Sequence, residues 1–472
     1  MPQNFLPVER DQLMLLPVDV RDWLSEDDIV WHVLEVVEGL DLSAFYARYR
    51  SNGQGAAAFD PAMMVALVIY AQAVGVRSSR AVERACTRDA GFKVVTGMGV
   101  PDHSTITRFI ADHRQGLTGL FAQVLRLCHA AGMTRVGVIA VDGTKIAANA
   151  SWAKSYTDAA LAHKIAEEQA AFEALAGQLL TEQVLTDAAE DAAYGPGQRG
   201  DELPPALARR RERLARMQAA RADLAARDAA AREAMRAEQA AKQAAYDQRK
   251  AEGATPKGRR PADEVRVGPA PTRASAPRAS TTDVDSRRMK AKHGFVQGYN
   301  AQVAVTDTQV IVGTLVTQTA TDHHLLPEVL TATKQTLTDA GITENLDTVL
   351  ADAGYANEDT FLAAEAAEIV LLAPVASDEH RSRGQDPGAD RDLSGLPATD
   401  RAQQRLRTPE GAEQYKLRGQ TAEPVFGQLK DRQGMRQFAR RGLAAVKAEF
   451  TLAATVHNVR KLHRWTPTPA TA

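Results

Sequence analysis

Apolar positions in the first 130 residues recur at helical spacing. Val30, Leu34 and Val37 mark one helix face, which Ser25 and Asp28 open as a variant capping box. Asp60-Pro61 sets a cap residue and a first-turn proline ahead of the apolar run MMVALVIYAQAVG. A third helix spans Ser79 to Arg88. A fourth starts at Ser104, after the turn-like Gly99–Asp102, and carries Ile106, Phe109 and Ile110 on one face. These last two, read as short helices joined by a turn, suit a helix-turn-helix arrangement. They serve either as core helices or as DNA readers; in the second case Thr105 and Arg108 are the candidates to touch DNA.

The period changes after residue 134. Val136, Val138 and Ala140 alternate before Asp142, which is expected at the end of a strand. YNAQVAVTD and QVIVGTLVTQ predict two more strands, with a short Asp-Thr turn between them. A helix is expected over 324–340 with Gly341 as its stop. DTVLAD at 347–352 and EIVLLAPV at 368–375 read as strands, 376–400 as a polar loop, and 421–464 as helix. Between the first two strands, 157–253 interrupts the pattern. Leu207, Leu214, Met217, Leu224 and Met235 fit a heptad seam that Arg221 and Asp228 share, so a helical hairpin inserted into the sheet domain is expected. Residues 254–282 read as a flexible basic linker.

At 472 residues the chain has room for two or three domains, and 44% apolar residues allow a sizeable core. The formal net charge of −2 points to no nucleic-acid partner, so such a reading must rest on local basic patches. Two cysteines, Cys86 and Cys128, are too few for a cysteine zinc site and read as buried free thiols. The N-terminus shows no signal-peptide pattern. The longest apolar run, Pro61 to Val76, is broken by Gln72 and falls short of the ~18–20 residues of a membrane span. A cytoplasmic protein with no membrane partner is the expectation.

Three carboxylates carry the candidate chemistry. Asp142 and Asp352 each follow a strand, and emerge at one sheet edge if those strands are neighbours; Glu423 can face them from a helix. Hard divalent cations select carboxylate oxygens, and two ions ~3.5–4 Å apart can serve both the attacking and the leaving oxygen of a phosphoryl transfer. Spacing alone is a weak guide among 59 acidic residues, since an aspartate after a strand is commonly a turn or cap residue. Glu423, Gly427 and Lys430 share one helix face, so Glu423 can reach a metal and Lys430 a phosphate. Pro424 belongs in a first turn, so the helix is expected to begin near Glu423, with Phe426 and Leu429 toward the core. An amphipathic helix with a surface salt bridge is the plainer alternative. Downstream, Arg432, Arg436, Arg440, Arg441, Lys447, Arg460, Lys461 and Arg464 form the basic patch that the net charge hides. Asp322 reads as a helix cap, His323 and His324 as surface residues, and His293 with Lys290 and Lys292 as a run near DNA.

The stretches VDGTKIAANAS around Asp142, GFVQGYNAQVAV at 294–305, LADAGY around Asp352, and YKLRGQTAEPVFGQLK from Tyr415 to Lys430 occur in order. They resemble the blocks of bacterial insertion-sequence DDE transposases of the branch with a helical N-terminal domain. The likeness covers 1–125 and 134–464, and within the latter 157–280 resembles the family only in being a variable insertion. It implies an α/β, RNase H-like mixed-sheet core with an all-α N-terminal domain and a coiled-coil-like insertion. It also implies two Mg²⁺ or Mn²⁺ ions on Asp142, Asp352 and Glu423, metal-dependent cleavage and strand transfer, and a homodimer on double-stranded DNA made up of terminal inverted repeats and target. The implied domains are 1–130 for DNA binding, 131–156 and 283–464 for the catalytic part, 157–282 for the insertion and linker, and a disordered tail at 465–472. The last signature is usually Tyr-x2-Arg-x3-Glu-x6-Lys; here four residues separate Arg418 from Glu423, which puts the role of Arg418 in question. Tyr415, Arg418, Lys430, Arg436, Arg440 and Arg441 join Thr105 and Arg108 as DNA-binding candidates. The rivals are an RNase H-like nuclease that does not join strands, an inactive DNA-binding derivative, and a coiled-coil scaffold.

Overall fold

A computed structural model describes residues 6–7, 19–50, 57–194, 205–252, 260, 276–291, 294–375 and 395–465. Most of the expected 254–282 linker, most of the 376–400 loop, Lys292 and His293, and the tail from 466 lie outside the described residues. The chain forms two units: Met1–Asn149 with Met289–Ala472, and Ala150–Arg288.

Local capping chemistry sets the first helices of the larger unit. Asp28 opens α1 (Ile29–Glu38) by accepting from the Val30 amide at 2.9 Å. Ser25 is not the cap: its carbonyl instead accepts from the Asp28 amide and the Trp31 indole. The short α2 (Ser43–Tyr46) leads to α3 (Pro61–Ala73), where Asp60 accepts from the amides of Ala62 and Met63 with Pro61 in the first turn. Every residue of α3 except Ala62 is buried, as suits a helix apolar on all sides.

Then come α4 (Ser79–Arg88), α5 (Ala90–Thr96), α6 (His103–Asp112) and α7 (Arg114–Ala130). The expected helix-turn-helix pair is therefore not consecutive. Asp89 ends α4 and at once caps α5 by accepting from the Phe92 amide. That restart within one residue hid α5 in the sequence pattern. α4 and α6 still pack together, with Thr107 Oγ1 donating to Ser79 Oγ at 3.0 Å.

The sheet starts with β1 (Val138–Ala147). After the second unit's β2 (Ser155–Tyr156), α8 (Asp158–Tyr194), α9 (Pro205–Ala251) and β3 (Ala279–Ser280), it continues with β4 (Arg287–Ala291), β5 (Gly294–Thr306) and β6 (Ile311–Thr317). Next are α10 (Leu326–Ala340), β7 (Thr348–Leu350), α11 (Glu358–Ala366), β8 (Val370–Leu372), α12 (Ala398–Arg407), α13 (Pro409–Asp431) and α14 (Leu443–His463). The six strands run β4-β5-β1-β7-β8, with β6 also on β5. β1 is antiparallel to β5 and parallel to β7, and β7 is parallel to β8.

Alternate residues of β1 serve two layers. Ala140 packs with Leu350, Leu372, Leu406 of α12 and Ala422 of α13. Ile139 and Val141 face the other way, into a core that includes α10, α14 and the N-terminal helices. Both faces are covered, so the central strands read as apolar runs.

Two expectations about this unit are corrected. Asp142 is not at a strand end: β1 continues five residues further, because the long β5 supplies antiparallel partners from Thr306 to Gly298. Only the parallel pairing with β7 stops early, at Ala140 opposite Leu350. Nor does a helix start at Glu423: α13 begins at Pro409 and carries Pro424 in its interior. The Gln420 carbonyl, which Pro424 leaves without a helical donor, accepts instead from Gln309 Nε2 at 2.9 Å.

In the smaller unit α8 and α9 pack side by side. Asp158 pairs with Arg221, and Glu168 with Arg210 and Arg213, so the helices run in opposite directions. Leu161, Ile165, Met217, Ala220 and Leu224 form their seam with Ala279, whereas Met235 is exposed, so the heptad pattern is a packed seam only as far as Leu224.

Candidate active site

The parallel register places the two aspartates. Ala140 pairs with Leu350, so two residues further on, where β7 has ended, Asp142 comes beside Asp352. Asp142 accepts from its neighbour's amide, Gly143 N, at 2.8 Å. Asp352 caps a single 3-10 turn, Ala353–Tyr355, by accepting from Gly354 N at 2.9 Å. A side chain at 143 would meet the side-chain amide of Gln302, which stands opposite on β5 and would have to move to make room.

α13 brings the remaining charges. The Arg418 guanidinium lies 3.4 Å from Asp142, 3.8 Å from Asp352 and 4.0 Å from Glu423. All three candidate carboxylates thus converge on one cation. The extra residue between Arg418 and Glu423 does not separate them: the long arginine side chain still reaches the Glu423 carboxylate along α13.

Burial pushes Asp142 up to about 6, with Asp352 and Glu423 adding like-charge repulsion and Arg418 and the Gly143 amide pulling back. Asp352 is raised for the same first reason, burial, against the pull of Arg418 and the Gly354 amide. Burial works to lower Arg418, but Asp142, Tyr415, Asp352 and Glu423 outweigh it and hold the guanidinium above its ordinary value. Among the described residues its Nε has no hydrogen-bond partner.

Lys430 also comes to this place. Its Nζ donates to Thr144 Oγ1 at 2.5 Å, and Thr144 follows Asp142 by two on the same face of β1. Burial, then Arg436, lowers its pKa, while Asp142 opposes them. Gly427 has open space where a Cβ would stand.

The other DNA-binding candidates are dispersed. Tyr415 is half-buried and packs on the Ala140, Leu350 and Leu372 face. Arg436 is exposed and paired with Asp431. Arg441 is exposed and donates from Nε to the Asn149 carbonyl at 2.9 Å. Arg440 is half-buried, and burial lowers its pKa. Arg108 is exposed on α6. Thr105 gives its hydroxyl to the helix cap, donating to Asp102 at 2.7 Å.

Asp322 is corrected. It does not cap α10, whose N-cap, Leu325, makes no side-chain bond. Asp322 instead pairs with Lys145 at 3.1 Å and accepts from Asn300 at 2.6 Å and Gln302 at 2.8 Å. Tyr355 donates to Gln302 Oε1, so this buried polar group ties the turn after Asp352 to β5 and β1. The sequence pattern gives Lys145, Asn300, Gln302 and Tyr355 no role. The signal is there: Asn300 and Gln302 alternate with Tyr299, Ala301 and Val303 in the buried part of β5.

Among the described residues no three His, Cys, Asp or Glu side chains are grouped tightly enough by themselves to ligate an ion. The three carboxylates are set around a guanidinium instead. Their donor chemistry fits divalent cations: hard oxygens, converging, with a positive charge already between them. Asp142, Asp352 and Glu423 would hold such ions.

A mixed sheet covered by helices, with acidic residues gathered at the end of its parallel pair, defines an RNase H-like core behind a helical N-terminus. Residues 18–112 match the family described as Transposase domain (DUF772), and residues 393–463 the family described as Transposase DDE domain. These two matches, one in the helical N-terminus and one over the last three helices, support an insertion-sequence DDE transposase. No curated protein and no solved structure matches it. Among the described residues no helix is long and apolar enough to cross a membrane.

Proposed function

We propose that the protein is an active transposase that cuts DNA at the ends of its element and joins those ends to target DNA, with Asp142, Asp352 and Glu423 as the catalytic carboxylates. The observation that carries this reading is the convergence of all three on Arg418. Mg²⁺ or Mn²⁺ bound there would supply Lewis acidity at the scissile phosphate. The chain's own residues do the rest. The carboxylates concentrate negative charge in a half-buried place where it is poorly screened. Lys430, held by Thr144, presents a point charge to a phosphate next to the scissile bond. Arg418 is a second phosphate donor once its carboxylates are otherwise neutralised. Catalysis on this reading is positioning and charge stabilisation.

Residues 1–130 recognise the inverted repeats, and a homodimer handles two ends together. The test uses the full-length protein and a duplex bearing the inverted repeats that flank its own gene. Cleavage and strand transfer in Mg²⁺ or Mn²⁺, both lost in excess chelator, support the reading. Cleavage without joining reduces it to a nuclease. Binding without cleavage leaves a DNA-binding derivative, and neither binding nor cleavage sinks it.

A further inference from the structure

Pro424 has no amide hydrogen, so the carbonyl of Gln420, four residues earlier, has no helical donor. That carbonyl lies between Arg418 and Glu423, the two residues whose spacing on α13 the site depends on. The missing donor comes from outside the helix: Gln309 Nε2 donates to Gln420 O at 2.9 Å. The Oε1 of the same amide accepts from Gln428 at 3.0 Å, further along α13, and from Lys461 of α14 at 2.6 Å. Its main-chain carbonyl accepts from His457 Nε2 at 2.8 Å.

Gln309 stands in the β5–β6 turn with φ at 66°, a conformation uncommon for a residue with a side chain. Such a residue persists where its surroundings over-determine it. Here Asn458 brackets the chain two residues on, accepting from Ile311 N at 2.9 Å and donating to Ile311 O at 2.8 Å. One turn residue is therefore locked to the sheet while its amide spans the proline break.

We infer that Gln309 is a positioning residue for the transposase site: by replacing the donor that Pro424 removes, it keeps α13 continuous and sets Glu423 and Lys430 relative to Arg418. This rests on the proposed function only in that Glu423 and Lys430 act in cleavage. Without the amide, the freed carbonyl takes water and the helix has a hinge between Arg418 and Glu423.

The test is a double-mutant cycle in the full-length protein with Gln309→Ala, Pro424→Ala and both together. Gln309→Ala should cut the cleavage rate at saturating DNA by about tenfold to a hundredfold, the range expected of a misplaced catalytic group. It should also raise the Mn²⁺ concentration for half-maximal cleavage and leave DNA affinity within about twofold, since most phosphate contacts are untouched. Pro424→Ala restores the helical amide, so the double variant should recover most of the rate and the metal response. Its unfolding midpoint should recover only in part, because the Lys461 bond stays lost. Gln309→Glu keeps size and acceptors but removes the donor, so it should behave like Gln309→Ala and also be rescued; it takes over the cycle if the alanine variant does not fold. Equal losses with and without the Pro424→Ala change, in both rate and unfolding midpoint, would overturn the inference. If the wild-type protein shows no divalent-dependent cleavage, the functional reading fails by itself. The coupling in unfolding midpoints then still decides whether Gln309 acts through the Pro424 gap.

Discussion

Arg418 and Asp142 form the ion pair on which the site turns: guanidinium and carboxylate are 3.4 Å apart, and both side chains are mostly shielded from solvent. Burial alone would disfavour either charge. Each offsets part of the other's desolvation, and Asp352 and Glu423 join at longer range. Arg418 is thus an internal counter-ion for a cluster that otherwise repels itself.

Arg418→Met should therefore lower stability in chelator, by about 1–3 kcal/mol after allowing for the exposed partners. Mn²⁺ can replace the lost positive charge. The rise in unfolding midpoint on adding Mn²⁺ should be larger in the variant than in wild type. Equal rises in the two proteins would show that Arg418 and the ion do not compete for the same carboxylates.

Asp142→Asn, Asp352→Asn and Glu423→Gln should each abolish strand cleavage while DNA affinity at matched salt stays largely intact. Each keeps the side chain's shape and removes a charge. Asp142→Asn also relieves a buried carboxylate, so in chelator it should be at least as stable as wild type. Near-normal turnover in any one variant removes that residue from the triad.

Lys430→Ala should slow cleavage at saturating protein more than it weakens binding, because other basic residues share the binding. Lys430→Arg should recover part of the rate. If Lys430 only stabilises the helix through Thr144, its removal would cost about 0.5–1.5 kcal/mol and leave the rate unchanged.

His457 supplies a pH dependence of stability. Burial lowers it to about 4, against the pull of the Gln309 carbonyl and with help from Lys461 and Arg460. A histidine whose folded pKa is depressed stabilises above its unfolded value, and that stability is lost as pH falls through the folded one. Between pH ~6.5 and ~4 the unfolded chain takes up a proton that the folded chain refuses, a loss of about 3 kcal/mol in all. His457→Gln can still donate to Gln309. Its denaturant-derived stability should therefore fall less steeply over that window; identical slopes would show that His457 is not held neutral.

What the chain determined locally was legible in its sequence. Asp60 with Pro61, and Gly341 in the left-handed conformation, act within a turn of themselves, so those helix ends follow from a few neighbouring residues. The order of blocks around Asp142, Asp352 and Glu423 was equally plain. The tertiary structure decided the rest. β1 runs past Asp142 because β5 offers partners there, a fact that local alternation does not contain. α13 passes through Pro424 because Gln309, distant in sequence, supplies the donor that the proline removes. Asp322 abandons its role as a cap because Lys145, Asn300 and Gln302 meet it inside the fold. In each case the deciding hydrogen-bond partner comes from a remote segment, and only the assembled sheet and helices bring it within reach.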